Sequence, residues 1–151
     1  MTDKYELVHS DKPLYYRVKA LKDFSDVKKG DLGGYVRNEV TLSQYGKSWV
    51  YDDAEIQGDC LIMEDAVVKG NALVSDSNIM GEAVIKDNAV VQNCTLLGDT
   101  LVEKKAEIIF SFVKGALTLT EDVKVSKLTY TQPVQQVLQN KKDVPGRFFY
   151  L

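Results

Sequence analysis

From Glu64 to Val91 the chain repeats one hydrophobic phrase: EDAVVK, GNALVS, DSNIM, GEAVIK, DNAVVQ. In each six-residue unit the third residue is small and the fifth aliphatic, as in Ala66 and Val68, Ala72 and Val74, Ala83 and Ile85, Ala89 and Val91. Two inward positions separated by one outward position are the alternation of a short β-strand. The phrase begins with GKSWVY at Gly46 and ends with EDVKVS at Ser126, and from DSNIM onward every third unit has five residues. Glu64, Gly81, Gly98 and Gly115 therefore stand 17 residues apart. A fixed period predicts stacked coils, each of three strands and three bends, with the missing residue taken from a corner rather than a strand.

The predicted fold is all-β, a parallel β-helix shaped as a triangular prism with 17–18 residues per coil and coils about 4.8 Å apart. Three inward columns follow: Val50, Val68, Ile85, Val102 and Leu119; Ile56, Val74, Val91, Ile108 and Val125; Ile62, Ile79, Leu96 and Val113. Gly, Asn and Asp supply the corners. An open stack exposes raw edges, so it needs caps. Residues 1–31 lack the phrase and read as an N-terminal β cap, with YELVH and LYYRVKAL as two strands around the turn SDKP. Residues 32–132 form the β-helix. In residues 133–151, PVQQVLQNKK predicts a short amphipathic helix from Pro133 with Val134, Val137 and Leu138 on one face. The apolar tail VPGRFFYL is expected to pack on the prism.

The charge is unevenly distributed. Residues 46–126 carry 7 lysines against 14 acidic residues, whereas residues 127–151 are net basic. An acidic body disfavours nucleic acid as partner. No apolar run reaches a membrane span and the charged opening lacks a signal-peptide core, so a cytoplasmic protein is expected. Cys60 and Cys94 fall on one inward column, two coils apart with Ser77 between them, beyond disulfide reach. They read as buried small side chains.

The six-residue phrase resembles the left-handed parallel β-helix of the bacterial hexapeptide-repeat proteins, whose best-known members are acyltransferases. That resemblance, over residues 32–126, implies the left hand, and for the acyltransferases it implies a histidine base and an acyl-coenzyme A groove. The segment from Tyr16 to Asp59 also resembles small phage and prophage proteins with Gly-Asn-Ala repeats. It carries their Arg-x-x-Ala-Leu-x-Asp-Phe signature at Arg17, Ala20, Leu21, Asp23 and Phe24, and Gly-Asp-Leu-Gly-Gly-aromatic from Gly30 to Tyr35. Phage origin is what this likeness implies.

Candidate chemistry is sparse. The only histidine, His9, lies ahead of the first coil, and no phosphate loop, Cys-x-x-Cys or nucleophile elbow occurs. The pairs Asp52-Asp53, Glu64-Asp65 and Glu121-Asp122 diverge in turns, so no metal site and no cofactor are expected. Outward positions say more: Trp49, Val67, Val84 and Leu101, followed by Thr118, predict an apolar stripe for self-association or another partner. Asp65, Glu82 and Asp99 predict an acidic ladder beside it. The third outer face reads Leu61, Asn78, Thr95, Phe112 and Tyr130. The resulting expectation is a protein that is not an enzyme: a homo-oligomeric, phage-type β-helix that binds a host protein, such as a CRISPR nuclease, as an inhibitor. The alternatives are an acyltransferase using acyl-coenzyme A, with His9 as its candidate base, and a self-assembling structural protein.

Overall fold

The computed structural model describes residues 3–132 and 135–139. Strands β1 (Tyr5–His9) and β2 (Tyr16–Ala20) form an antiparallel hairpin, and β2 pairs antiparallel with β3 (Leu32–Val36). Short strands then follow three to a coil: β4 (Trp49–Val50), β5 (Glu55–Gln57) and β6 (Leu61–Ile62); β7 (Val67–Val68), β8 (Leu73–Ser75) and β9 (Asn78–Ile79); β10 (Val84–Ile85), β11 (Val90–Gln92) and β12 (Thr95–Leu97). The next coils hold β13 (Leu101–Val102), β14 (Glu107–Ile109) and β15 (Phe112–Lys114), then β16 (Leu117–Leu119), β17 (Lys124–Ser126) and β18 (Thr129–Tyr130), and last β19 (Gln136–Leu138). The chain is an all-β parallel β-solenoid of about six turns.

Three sheets result. The first runs β1-β2-β3-β5-β8-β11-β14-β17, the second β19-β16-β13-β10-β7-β4, the third β18-β15-β12-β9-β6. Each coil strand pairs in parallel with its equivalent above and below, so Val68 lies opposite Ile85 and Ile85 opposite Val102. The period of 17 is thus a hydrogen-bonded register. All three inward columns are buried. Corners explain the period: from Gly46 to Lys127 the first residue of each unit has positive φ, whether glycine (Gly81, +68°) or not (Asp87, +60°). Side chains at these corners also tie coil to coil, as where Asp87 accepts from the Lys104 amide at 2.9 Å and Glu64 from the Gly81 amide at 3.2 Å.

Two expectations need correction. Residues 136–138 form strand β19, not helix, with Leu119 opposite Leu138. The free edge of β16 offers backbone partners that a helix there would leave unused. Residues 133, 134 and 140–142 of the expected helix and the apolar tail lie outside the described residues, and among those described there is no helix. Tyr130 points inward, opposite Val113, and Thr129 takes the outer position opposite Phe112.

Candidate functional site

The hairpin and the first coils enclose a polar cleft of about 590 Å³ lined by Asp11, Lys12, Arg17, Tyr35, Asp53, Glu55, Asn71, Ala72 and Leu73. Its backbone is set by β3. At Gly33 a Cβ would strike the Val50 carbonyl, and at Gly34 it would stand 2.5 Å from the Ala54 carbonyl, so only glycine lets β3 press this closely on the first coil. That contact brings the next residue, Tyr35, opposite Glu55.

Tyr35 organises the cleft. Its hydroxyl donates to Asp11 at 2.9 Å and accepts from Arg17 Nη1 at 3.2 Å. The Arg17 guanidinium and the Lys12 ammonium both lie 4.5 Å from its ring centroid. Arg17 reaches further, with Nε donating to the Gly33 carbonyl and Nη2 to the Asp52 carbonyl at 2.7 Å and to Asp53 at 3.2 Å. Lys12 pairs with Glu55. The hydrogen bond from Tyr35 holds the Asp11 carboxyl below its ordinary value, and the same bond pushes the Tyr35 hydroxyl up. A second cavity of about 490 Å³, running from His9 to Tyr16, shares Asp11 and Lys12 with the first. His9 is exposed at its edge, across the hairpin from Tyr16.

Sequence reading missed this cleft, although its parts sit in the signature that was quoted. Arg17, Gly33, Gly34 and Tyr35 build it, while Phe24 packs edge-on against Trp49 with centroids 5.2 Å apart.

That last contact corrects the apolar stripe. Trp49 is 1% exposed beneath Phe24 and Tyr5, so it is core rather than interface. Nearby, buried Lys4 donates from Nζ to the Ser48 carbonyl at 2.7 Å, and Tyr5 donates to the Leu42 carbonyl. Val67, Val84 and Leu101 do share one outer face and are half-buried. Asp65, Glu82 and Asp99 are exposed beside them. A hydrogen bond to Asp99, together with the charge of that group, pushes the Glu82 carboxyl up.

Cys60 and Cys94 are free, buried thiols. Ser77 links their coils, accepting from the Cys94 amide at 3.0 Å while its own amide donates to Cys60 Sγ at 3.4 Å. Burial pushes both thiols up, Cys94 to about 11, so neither is a ready thiolate. No group of three or more metal-binding side chains occurs among the described residues, and they contain no helix long and apolar enough to cross a membrane.

No protein-family model matches the chain. Over 66 residues it is 30% identical to the uncharacterised acetyltransferase YdcK of Escherichia coli strain K12. The matched segment is 44% of this chain and 19% of that protein, so the chain spans about a fifth of its relative's length. This likeness, on a parallel β-solenoid, overturns the expectation that the chain is not an enzyme.

Proposed function

We propose that the protein transfers an acyl group from an acyl-coenzyme A thioester to a hydroxyl or amine. The observation that carries this reading is the 30% identity to an acetyltransferase; the solenoid fold and the polar cleft agree with it. In the reaction the acceptor heteroatom attacks the thioester carbonyl and the carbon–sulfur bond breaks. A base takes the acceptor proton, and coenzyme A leaves as the thiol. Imidazole suits that role near neutral pH, and the chain has one histidine, His9. It borders the cavity that shares Asp11 and Lys12 with the Tyr35 cleft, and this reading requires the acceptor to bind between them. Arg17 and Lys12 are positioning residues here, keeping the Tyr35 ring and the Asp11 carboxylate in place.

The test is thiol release from acetyl-coenzyme A in the presence of amine and hydroxyl acceptors, with cofactor-substrate binding followed by calorimetry. Acceptor-dependent release is expected, falling by about 100-fold or more in His9→Ala. Absence of both acetyl-coenzyme A binding and acceptor-dependent release would remove the reading.

A further inference from the structure

From β7 to β13 the second sheet sorts most of its outward residues by kind, with Lys47 standing in the acidic column beside β4 and Glu103 in the lysine column beside β13. Asp65, Glu82 and Asp99 precede strands β7, β10 and β13; Val67, Val84 and Leu101 lie within them; Lys69 and Lys86 follow the first two. Backbone bonds keep these positions in register beyond the strands, with the Asp65 amide donating to the Gly81 carbonyl and the Lys69 amide to the Ile85 carbonyl. The apolar middle continues through Thr118 to Val137, which is 49% exposed. Neither other sheet is sorted in this way: the outer positions of the first run Glu55, Leu73, Val90, Glu107, Lys124. Like charges stacked at strand spacing repel; the Glu82 carboxyl is raised by its hydrogen bond with Asp99 and then by the charge of that group.

We propose that this face binds a second copy of the chain, about a two-fold axis parallel to the solenoid axis. Such a rotation exchanges left and right across the strands while preserving height along the stack. The acidic column of one copy then meets the lysine column of the other, Asp65 against Lys69 and Glu82 against Lys86, with valine against valine between them. An axis along the strands would instead set acid on acid. On the third rung Asp99 meets Glu103, which Lys86 at 3.7 Å and the Thr120 hydroxyl at 2.8 Å already hold within its own copy. Five rungs about 4.8 Å apart, four residues wide, cover roughly 300–400 Å² per copy, against about 800 Å² for a standard interface. The dimer is therefore weak and forms at high micromolar concentration.

The experiment is sedimentation velocity on the full chain from about 5 µM to 1 mM, at low and high salt. A monomer–dimer equilibrium weakened by salt is expected. Glu82→Lys or Lys86→Glu alone should weaken self-association by roughly 30-fold, since two symmetry-related attractions become repulsions. The double exchange should restore it, as should an equimolar mixture of the two single variants, because every introduced charge then faces its opposite. All these positions lie on the surface, and matching melting curves would establish that the variants fold. A monomer throughout, a trimer, or a dimer indifferent to the single exchanges overturns the proposal. So does a chain that dimerises only after residues 140–151 are removed, which would make its own C-terminal residues the cover.

Discussion

Gly58 and Gly81 each open a unit, at two different corners of the coil, with nearly the same backbone, φ +67° and +68°, but they face different neighbours. Alanine at either position meets the same conformational penalty, about 1 kcal/mol, partly offset by reduced freedom of the unfolded chain. At Gly58 the nearest obstacle is the Asp76 carboxylate, which can swing away at the cost of its bond from the Asp59 amide. At Gly81 the new Cβ would stand 2.5 Å from the Gly98 amide nitrogen and 3.1 Å from its Cα, both main-chain atoms of the next coil. Relief there requires that coil to move, and forced overpacking costs about 1–3 kcal/mol. Gly58→Ala should therefore lose about 1 kcal/mol and Gly81→Ala about 3 kcal/mol, or roughly 3 °C and 9 °C in Tm for a chain of this size. Thermal unfolding followed by circular dichroism reads both. Equal losses, or a larger loss at Gly58, would refute the idea that backbone contact between coils sets corner identity.

Burial, with a smaller contribution from Lys22 and opposition from Asp65, lowers Lys4 from 10.5 to about 8 in the fold. The folded chain then binds fewer protons than the unfolded chain between these values, so Lys4 makes stability rise with pH from about 8. The raised thiols of Cys60 and Cys94 and the raised hydroxyl of Tyr5 act oppositely from about pH 9 upward. Urea titrations should thus show a gain of about 0.5 kcal/mol between pH 8 and 9, absent in Lys4→Met. Ser77→Ala strands the Cys94 amide and should cost about 1–2 kcal/mol in denaturant titration, whereas Ser77→Cys should cost less, because thiols already fill the equivalent sites at Cys60 and Cys94. Tyr35→Phe keeps the ring but removes the donor to Asp11; under the acyl-transfer reading it should lower kcat more than overall stability, measured by the thiol-release assay beside a melting curve.

The stacking of Val68 on Ile85 was legible because one period carries both the corner and the strand. Where local pattern and stack disagreed, the stack won. Val137 and Leu138 fit a helical stripe, yet as neighbours in β19 they face out and in, and the unpaired edge of β16 selects the strand. Tyr130 lies 18 residues beyond Phe112, whereas the period of 17 sets Thr129 on Phe112 and Tyr130 on the inward Val113, so the period itself held at the last coil. The fate of Trp49 was hidden for another reason: its cover comes from Tyr5 and Phe24, residues outside the repeat, and period says nothing about them. The cleft was hidden likewise, since Asp11, Arg17, Tyr35 and Asp53 meet only when an antiparallel hairpin lies along a parallel coil. Gly33 and Gly34 were the available clue, because paired glycines within a strand mark close approach of another backbone.

The rungs have a mechanical corollary. Interstrand hydrogen bonds here point along the stacking direction, each joining a coil only to its immediate neighbours. A tether pulling the two ends apart along that direction would load one rung after another and peel the stack sequentially at modest force. Traction across the strands would shear many bonds at once and meet far greater resistance.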